Sequence, residues 1–354
     1  MRILVATDFS PRSQRAVRRA GILAGQGRGD VVLLHVVDGG EARETARDLR
    51  EAQRMTVEQV AVVPELVGVE CRPRVVAGRL PDAVCDAAAA DRADLIVVGA
   101  SRRAAARGSG RTVRSLIRAA PCPVLVVHRS ASGPYAGVMV PVDLSDASAR
   151  ALRSVASLGL ADHARVTVVH AFEALGKPKL SGFGVPREQV ERYVESWRST
   201  FAEEVEAFLE ASGLVGRDWS RRVEEGRPDE VIAGLAARMS SGLLVMGTHA
   251  RTGIGKALRG SVTEAVLAAG GADVLVVPPR RSGGRPWPGP SARVPAGRAG
   301  RPPLRVVTAG RDVLRATDRD ARHPGACAPR AGPSGLRNGK LKLRVEGAAE
   351  REPS

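Results

Sequence analysis

The chain has 354 residues, 44% of them hydrophobic and 3% aromatic, which is more than one typical domain holds and enough for two aliphatic cores. The net charge is +16, but residues 280–354 alone carry 17 Lys and Arg against 6 Asp and Glu; the basicity is a property of that segment and does not describe a nucleic-acid groove. Cys71, Cys85, Cys122 and Cys327 show no C-x-x-C spacing, which argues against a clustered metal site and a disulfide framework.

Taken in order, Ile3 to Ala6 is a strand-like run ending at Thr7-Asp8, too short for a signal peptide. Ser10-Pro11 then opens a helical pattern with Ala16, Ala20, Leu23 and Ala24 on one side. Val31 to Val37 is a second apolar run, broken by His35, and Glu41 to about Pro64 is charged and helical in character. Val75-Val76-Ala77 ends at Gly78, Leu80 to Ala90 is an Ala-rich helix, Leu95 to Val98 ends at Gly99, and Pro123 to Val127 is a fifth run. Strands without polar alternation, each followed by a helix, predict a parallel sheet covered on both faces.

The same order then repeats. Asp143 follows Val138 to Val142 as Asp8 follows the first run, 135 residues later, and His170 repeats His35 at the same offset. Gly226-Arg227 repeats Gly78-Arg79, and Gly247 repeats Gly99, at an offset of 148; Val274 to Val277 repeats Val124 to Val127 at 150. Constant offsets with two steps describe one duplicated unit carrying two insertions. The expected division is repeat one over 1–130, a linker over 131–136, repeat two over 137–279, and a disordered basic Pro/Gly/Arg-rich tail over 280–354. The larger insertion holds a Gly/Pro/Lys-rich loop and a helix from about Pro186 to Ser212. Its stripe of Val190, Val194, Trp197, Phe201, Val205 and Phe208 reads as core packing, with a base-stacking or partner surface as the alternative for Tyr193, Trp197 and Phe201. With Trp287 as the tail's one aromatic residue, nucleic acid is expected there only as a weak electrostatic partner.

Leu243 to Leu267 runs from an apolar strand into a polar, glycine-bearing loop and then, at Gly260-Ser261, into an alanine-rich helix start. Strand, loop and helix N-terminus in that order suit an anion, because the first helical N–H groups are unpaired and the helix dipole is positive there. The stretch Ala250 to Ala257 is not a Walker A loop, since it lacks the first Gly and the Ser/Thr after Lys256. There is no G-x-S-x-G and no H-E-x-x-H.

These features together resemble the universal stress protein family in its tandem form, over about residues 1 to 279. The resemblance rests on Thr7-Asp8-Phe9-Ser10 and Val142-Asp143-Leu144-Ser145, on the Leu-His-Val and Val-His-Ala ends of the second strands, and on the Gly-Arg pairs. Its most specific part is Met246-Gly247-Thr248-His249-Ala250-Arg251-Thr252-Gly253 followed by Gly260-Ser261-Val262. The family's ATP-binding pattern G-x2-G-x9-G-[S/T] reads here Gly247-x2-Ala250-x9-Gly260-Ser261, with Ala250 in place of the second glycine.

The resemblance implies two doubly wound, five-stranded parallel sheets of Rossmann-like α/β class, each in strand order 3-2-1-4-5, paired as a pseudo-dimer or homodimer through the strand at Val274 to Val277. It implies adenosine near Asp143 and Ala171, and in repeat one near Asp8 and Val36. Phosphates would lie along Gly247, Gly260, Ser261 and Val262. Pro141, Val142, Met246, His249, Ala250, Arg251 and Thr263 complete the candidate set, with Gly99 and Gly110 in repeat one. Repeat one's loop has Arg102 at the second glycine and Arg111 at the serine, so asymmetric sites are expected. Lys177 and Lys179 are a minor candidate lid, and His35 and His170 read as satisfied rim histidines.

The expected function is a cytoplasmic sensor or switch that binds ATP, with or without Mg²⁺, mainly in repeat two and acts on an unknown protein partner. No residue pair suggests a general base with a water-activating partner, so no catalytic or metal-binding residue is assigned. The alternative is a nucleotide-free interaction scaffold of the same family. An ATP pyrophosphatase or flavoprotein fits less well, because no Ser-Gly-Gly-x-Asp-Ser loop follows either first strand.

Overall fold

A computed structural model describes residues 1–38, 42–100, 111–238, 242–248 and 271–279. The aliphatic runs become strands: β1 (Arg2–Thr7), β2 (Asp30–Val37), β3 (Glu70–Ala77), β4 (Leu95–Gly99) and β5 (Val124–Val127) in the first repeat, then β6 (Gly137–Pro141), β7 (Arg165–Phe172), β8 (Ser220–Glu225), β9 (Gly242–Gly247) and β10 (Asp273–Val277). They form one ten-stranded sheet in the order β3-β2-β1-β4-β5-β10-β9-β6-β7-β8. Each half is therefore 3-2-1-4-5, as expected, and all pairs within a half are parallel.

The halves meet at β5 and β10, which pair antiparallel with Val274, Leu275 and Val276 opposite Val126, Leu125 and Val124. This pairing satisfies two strand edges at once and removes a hazard for aggregation. Two cores cross the junction on opposite faces. One gathers Val17, Leu33, Leu125, Leu152, Val205, Leu243 and Leu275; the other gathers Leu4, Leu116, Ile117, Val126, Met139, Leu244 and Val274.

The helices α1 (Pro11–Gly27), α2 (Ala42–Val62), α5 (Asp146–Ser157) and α7 (Arg187–Ala211) lie on the first face; α3 (Leu80–Ala90), α4 (Arg111–Ala119) and α8 (Pro228–Arg238) lie on the second. A short helix, α6 (Lys177–Gly182), precedes α7 within the insertion. Among the described residues no helix is long and apolar enough to cross a membrane.

The outer strands depart from the expected pattern. β3 begins at Glu70, five residues before its apolar end, and β8 reads Ser-Arg-Arg-Val-Glu-Glu. Both are sheet edges, where polar side chains reach water and an unbroken apolar run is not required.

The expected linker is pinned in place. Tyr135 is buried, and its hydroxyl donates to Asp273 Oδ2 at 2.7 Å. Asp273 Oδ1 accepts from the backbone N–H groups of His128 and Arg129 at 2.8 and 3.0 Å. Arg19 Nε lies 3.5 Å from Asp273, Nη1 donates to Gly133 O at 2.8 Å, and the guanidinium sits 3.9 Å from the Tyr135 ring centroid. One carboxylate thus gathers α1, the linker and β10. Burial raises the Tyr135 hydroxyl well above its usual pKa of 10.0 and the Asp273 charge adds to this, with Arg19 opposing.

Candidate functional site

In a parallel sheet every strand delivers its C-terminal residue to the same edge, which is where ligands of doubly wound folds bind. In the second repeat this edge carries Pro141, Val142 and Asp143, then His170 and Ala171, then Glu225 and Gly226, then Met246, Gly247 and Thr248. The first repeat presents Asp8, Val36 and Gly99 at matching places.

The turn after each first strand is built the same way. Phe9 and Leu144 take left-handed backbone angles, φ 57° and 58°, which cost a residue with a Cβ about 1–2 kcal/mol. Three groups hold the turn against that strain. Ser10 N–H donates to Asp8 Oδ1 at 3.0 Å and Ser145 N–H to Asp143 Oδ1 at 3.2 Å, each an Asx-type turn. The Ser10 and Ser145 hydroxyls donate to the same oxygens and also cap α1 and α5, accepting from the Ser13 and Ser148 N–H groups. In the second repeat Ser148 Oγ adds a third bond to Asp143 Oδ1, and Asp143 N–H donates back to Ser148 Oγ at 3.0 Å.

Partial burial of Asp8 pushes its pKa up. Hydrogen bonds from Ser10 and Ser13 and the Arg12 charge outweigh this, so the carboxyl titrates below its usual 3.8. The strand-end histidines are satisfied, as expected: His35 Nδ1 lies 2.8 Å from Thr7 O and His170 Nδ1 3.0 Å from Val142 O.

The two edges differ in what covers them. In repeat one Phe9 stacks on His35, with centroids 4.5 Å apart and planes at 25°. In repeat two Phe201 of α7 packs on His170 and Phe172 at 4.9 and 5.1 Å, Trp197 stacks on Phe201 at 5.8 Å, and Tyr193 meets Trp197 edge-on. The core reading of this stripe holds for Val190, Val194 and Val205, which are buried; Phe201 is partly buried against Phe172, and Trp197 is 40% exposed. Lys177 Nζ grips both oxygens of Glu225 at 2.7–2.8 Å, so it ties the insertion to the end of β8.

Gly247 has a packing reason of its own. A Cβ there would fall 2.0 Å from Ala147 O in the first turn of α5, and one on Gly99 would fall 2.4 Å from Arg12 O in α1. The strand end needs glycine to let the helix approach, whatever binds beyond it.

Asp143, Ala171 and Gly247 thus stand at the ends of three strands on one edge, with Pro141, Val142 and Met246 just inside it; Val142 and Met246 are buried and act as backing. Asp8, Val36 and Gly99 stand correspondingly in repeat one. His249, Ala250, Arg251, Gly260, Ser261, Val262, Thr263 and Gly110 lie outside the described residues, as does the tail over 280–354. Ser10, Ser13, Ser145 and Ser148 were not among the expected site residues. Their signal was available, because Asp-x-Ser-x-x-Ser occurs at Asp8 and again at Asp143 with the same 135-residue offset.

A model of the universal stress protein family matches residues 1–128 and again 134–278. The chain belongs to the universal stress protein family. A universal stress protein of Mycolicibacterium smegmatis is 29% identical over 301 residues, covering 78% of this chain and 97% of that protein. A universal stress protein of Mycobacterium tuberculosis is 31% identical over 192 residues, 52% of this chain; the match spans 62% of the relative's length, less than two thirds. The crystal structure of a universal stress protein from Archaeoglobus fulgidus superimposes with a TM-score of 0.56 at 15% identity, covering 78% of this chain and 98% of that one. That likeness is one of fold.

Proposed function

We propose that this universal stress protein binds an adenine nucleotide, ATP alone or with Mg²⁺, at the strand-end edge of its second repeat and acts as a cytoplasmic stress sensor or switch. The observation that carries this reading is the Asp143 turn. A carboxylate fixed by Ser145 and Ser148 faces the same edge as the small, half-exposed Ala171 and the Gly247 end of β9. Such a carboxylate suits the hydroxyls of a ribose, and the Gly247-x2-Ala250-x9-Gly260-Ser261 spacing would supply backbone N–H groups and a helix start for phosphates. His249, Arg251, Val262 and Thr263 would flank them. Asp8, Val36, Gly99 and Gly110 would form a weaker site in repeat one, where Phe9 lies over His35.

The units in this reading are repeat one over 1–130, a linker over 131–136, repeat two over 137–279 and a tail over 280–354. The antiparallel β5–β10 pair supports treating the repeats as an intramolecular pseudo-dimer. Ordering of the loop after Gly247 by nucleotide would change the surface offered to a protein partner. No group at the described edge pairs a general base with a water-activating partner, so turnover is not assigned. The second reading is a nucleotide-free scaffold, favoured by Ala250 in place of the pattern's second glycine.

Thermal unfolding of the full chain with and without about 5 mM MgATP separates the two. A site filled to 100-fold over Kd adds about 2.7 kcal/mol, a rise of roughly 5–10 °C for domains of this size. Asp143→Ala should abolish the rise and Asp8→Ala should leave most of it. An unchanged Tm with the native chain leaves the scaffold.

A further inference from the structure

At the opposite edge of the sheet, where the parallel strands begin, the two repeats have diverged in charge. In repeat one the side chains of Arg2, Arg72 and Arg74 neutralise Asp30 and Asp91, and Asp94 is held by the Arg2 backbone. Arg2 Nε meets Asp30 at 2.5 Å and Arg72 meets it at 3.2 Å, Arg74 pairs with Asp91, and Arg2 N–H donates to Asp94 at 2.7 Å. By the repeat offsets, the places of Asp30, Asp91 and Asp94 are taken in repeat two by Arg165, Met239 and Gly242, and those of Arg2 and Arg72 by Gly137 and Ser220; Met239 is outside the described residues. Arg74 is kept as Arg222, and Arg238 replaces Ala90 at the end of the covering helix.

Gly137 and Ser220 stand in the wall of a cleft of about 460 Å³ between the starts of β6, β7 and β8 and the last turn of α8. Arg165, Arg222 and Arg238 line it over Met139, Val169 and Leu235, and no carboxylate is in its wall among the described residues. Glu224 touches Arg222 at 2.5 Å from beside the cleft. Asp218 stands where repeat one has Glu70, so it does not distinguish the repeats. A cleft at the strand starts of repeat one, on the α1 side and about 470 Å³, is lined by Asp30 and Glu70 as well as by arginines.

We propose that this cleft is a second ligand site, distinct from the nucleotide edge, for a small organic oxyanion: a phosphate or carboxylate on a compact apolar body. Guanidinium forks match both headgroups in bidentate geometry, the apolar floor takes the body, and the volume is that of a small-molecule site. The site does not depend on nucleotide binding at the other edge.

The test is ligand-observed NMR titration of the full chain with phenyl phosphate and with benzoate at low ionic strength. The native chain should bind at least one probe, more weakly as salt is added. Arg165→Asp, which restores the first repeat's residue at an exposed position, should weaken binding about tenfold through charge reversal, and Arg238→Gln should weaken it by less. Arg187→Gln on α7 should have no effect, and because the basic tail is present in every variant it cannot produce that pattern. Equal binding by native chain, Arg165→Asp and Arg238→Gln would overturn the proposal, as would no binding of either probe. Phosphate-only, carboxylate-only or dual binding lost in Arg165→Asp each supports it and defines the headgroup.

Discussion

Replacing Asp273 by Ala tests whether one carboxylate holds the repeats together. Its oxygens take two backbone N–H bonds and the Tyr135 hydroxyl, and it lies 3.5 Å from Arg19 Nε. The side chains of Arg19 and Asp273 are 6% and 1% exposed, so the lost partner is not replaced by bulk water. Breaking a buried ion pair from one side costs about 3–5 kcal/mol, because the remaining charge stays buried. At roughly 2–4 °C per kcal/mol the melting temperature should fall by about 10 °C. Circular dichroism at 222 nm during thermal and urea unfolding measures this, and limited proteolysis should show new cleavage between residues 128 and 136. The double variant Arg19→Met/Asp273→Asn should be less destabilised than the sum of its single variants, by about 1 kcal/mol or more. A loss below about 1 kcal/mol for Asp273→Ala, or additive single variants, would refute the clasp.

Further outcomes follow from the same geometry. Gly247→Ala and Gly99→Ala place a methyl 2.0 and 2.4 Å from helix carbonyl oxygens and should each cost about 2–3 kcal/mol by overpacking, whereas Gly182→Ala, with nothing within 4 Å, should not; urea midpoints read all three. The folded-state pKa of Tyr135 is raised, so its contribution is complete below the unfolded value near 10.0. It is lost as pH rises from there through the folded value, because only the unfolded chain ionises at first. Stability should therefore fall above about pH 10, and Tyr135→Phe should reduce that slope. Asp8 is shifted the other way, so its contribution is present above 3.8 and is lost as pH falls through the lower folded value. Ser10→Ala should raise the Asp8 pKa, read by carboxyl ¹³C titration, and an unmoved titration would remove the serine explanation.

The inner strands were legible because both of their faces are buried, so β1, β4, β5, β9 and β10 appear as aliphatic runs and β2 as one interrupted only by His35. The outer strands were not: the Arg-bearing half of β3 and the polar β8 meet a neighbour on one side only and depend on pairing with β2 and β7 to be strands at all. The Asp-x-Ser-x-x-Ser turns were written in the residues, but their left-handed Phe9 and Leu144 carry no glycine to announce them.

The duplicated pattern by itself determined the α/β class, the two repeats and the strand ends at which Asp143, Ala171 and Gly247 fall. These follow from local periodicity and from offsets that any chain position can be checked against. The strand order within each repeat came from the family resemblance. Tertiary structure decided what lies between segments far apart in the chain. It joined β5 to β10 and buried Arg19, Tyr135 and Asp273 in one contact. It set Ala147 against Gly247 and tied Lys177 to Glu225. It also lined a cleft with arginines in the second repeat, where the first repeat pairs its arginines with aspartates. Such contacts depend on which faces meet after folding, and spacing along the chain does not encode that.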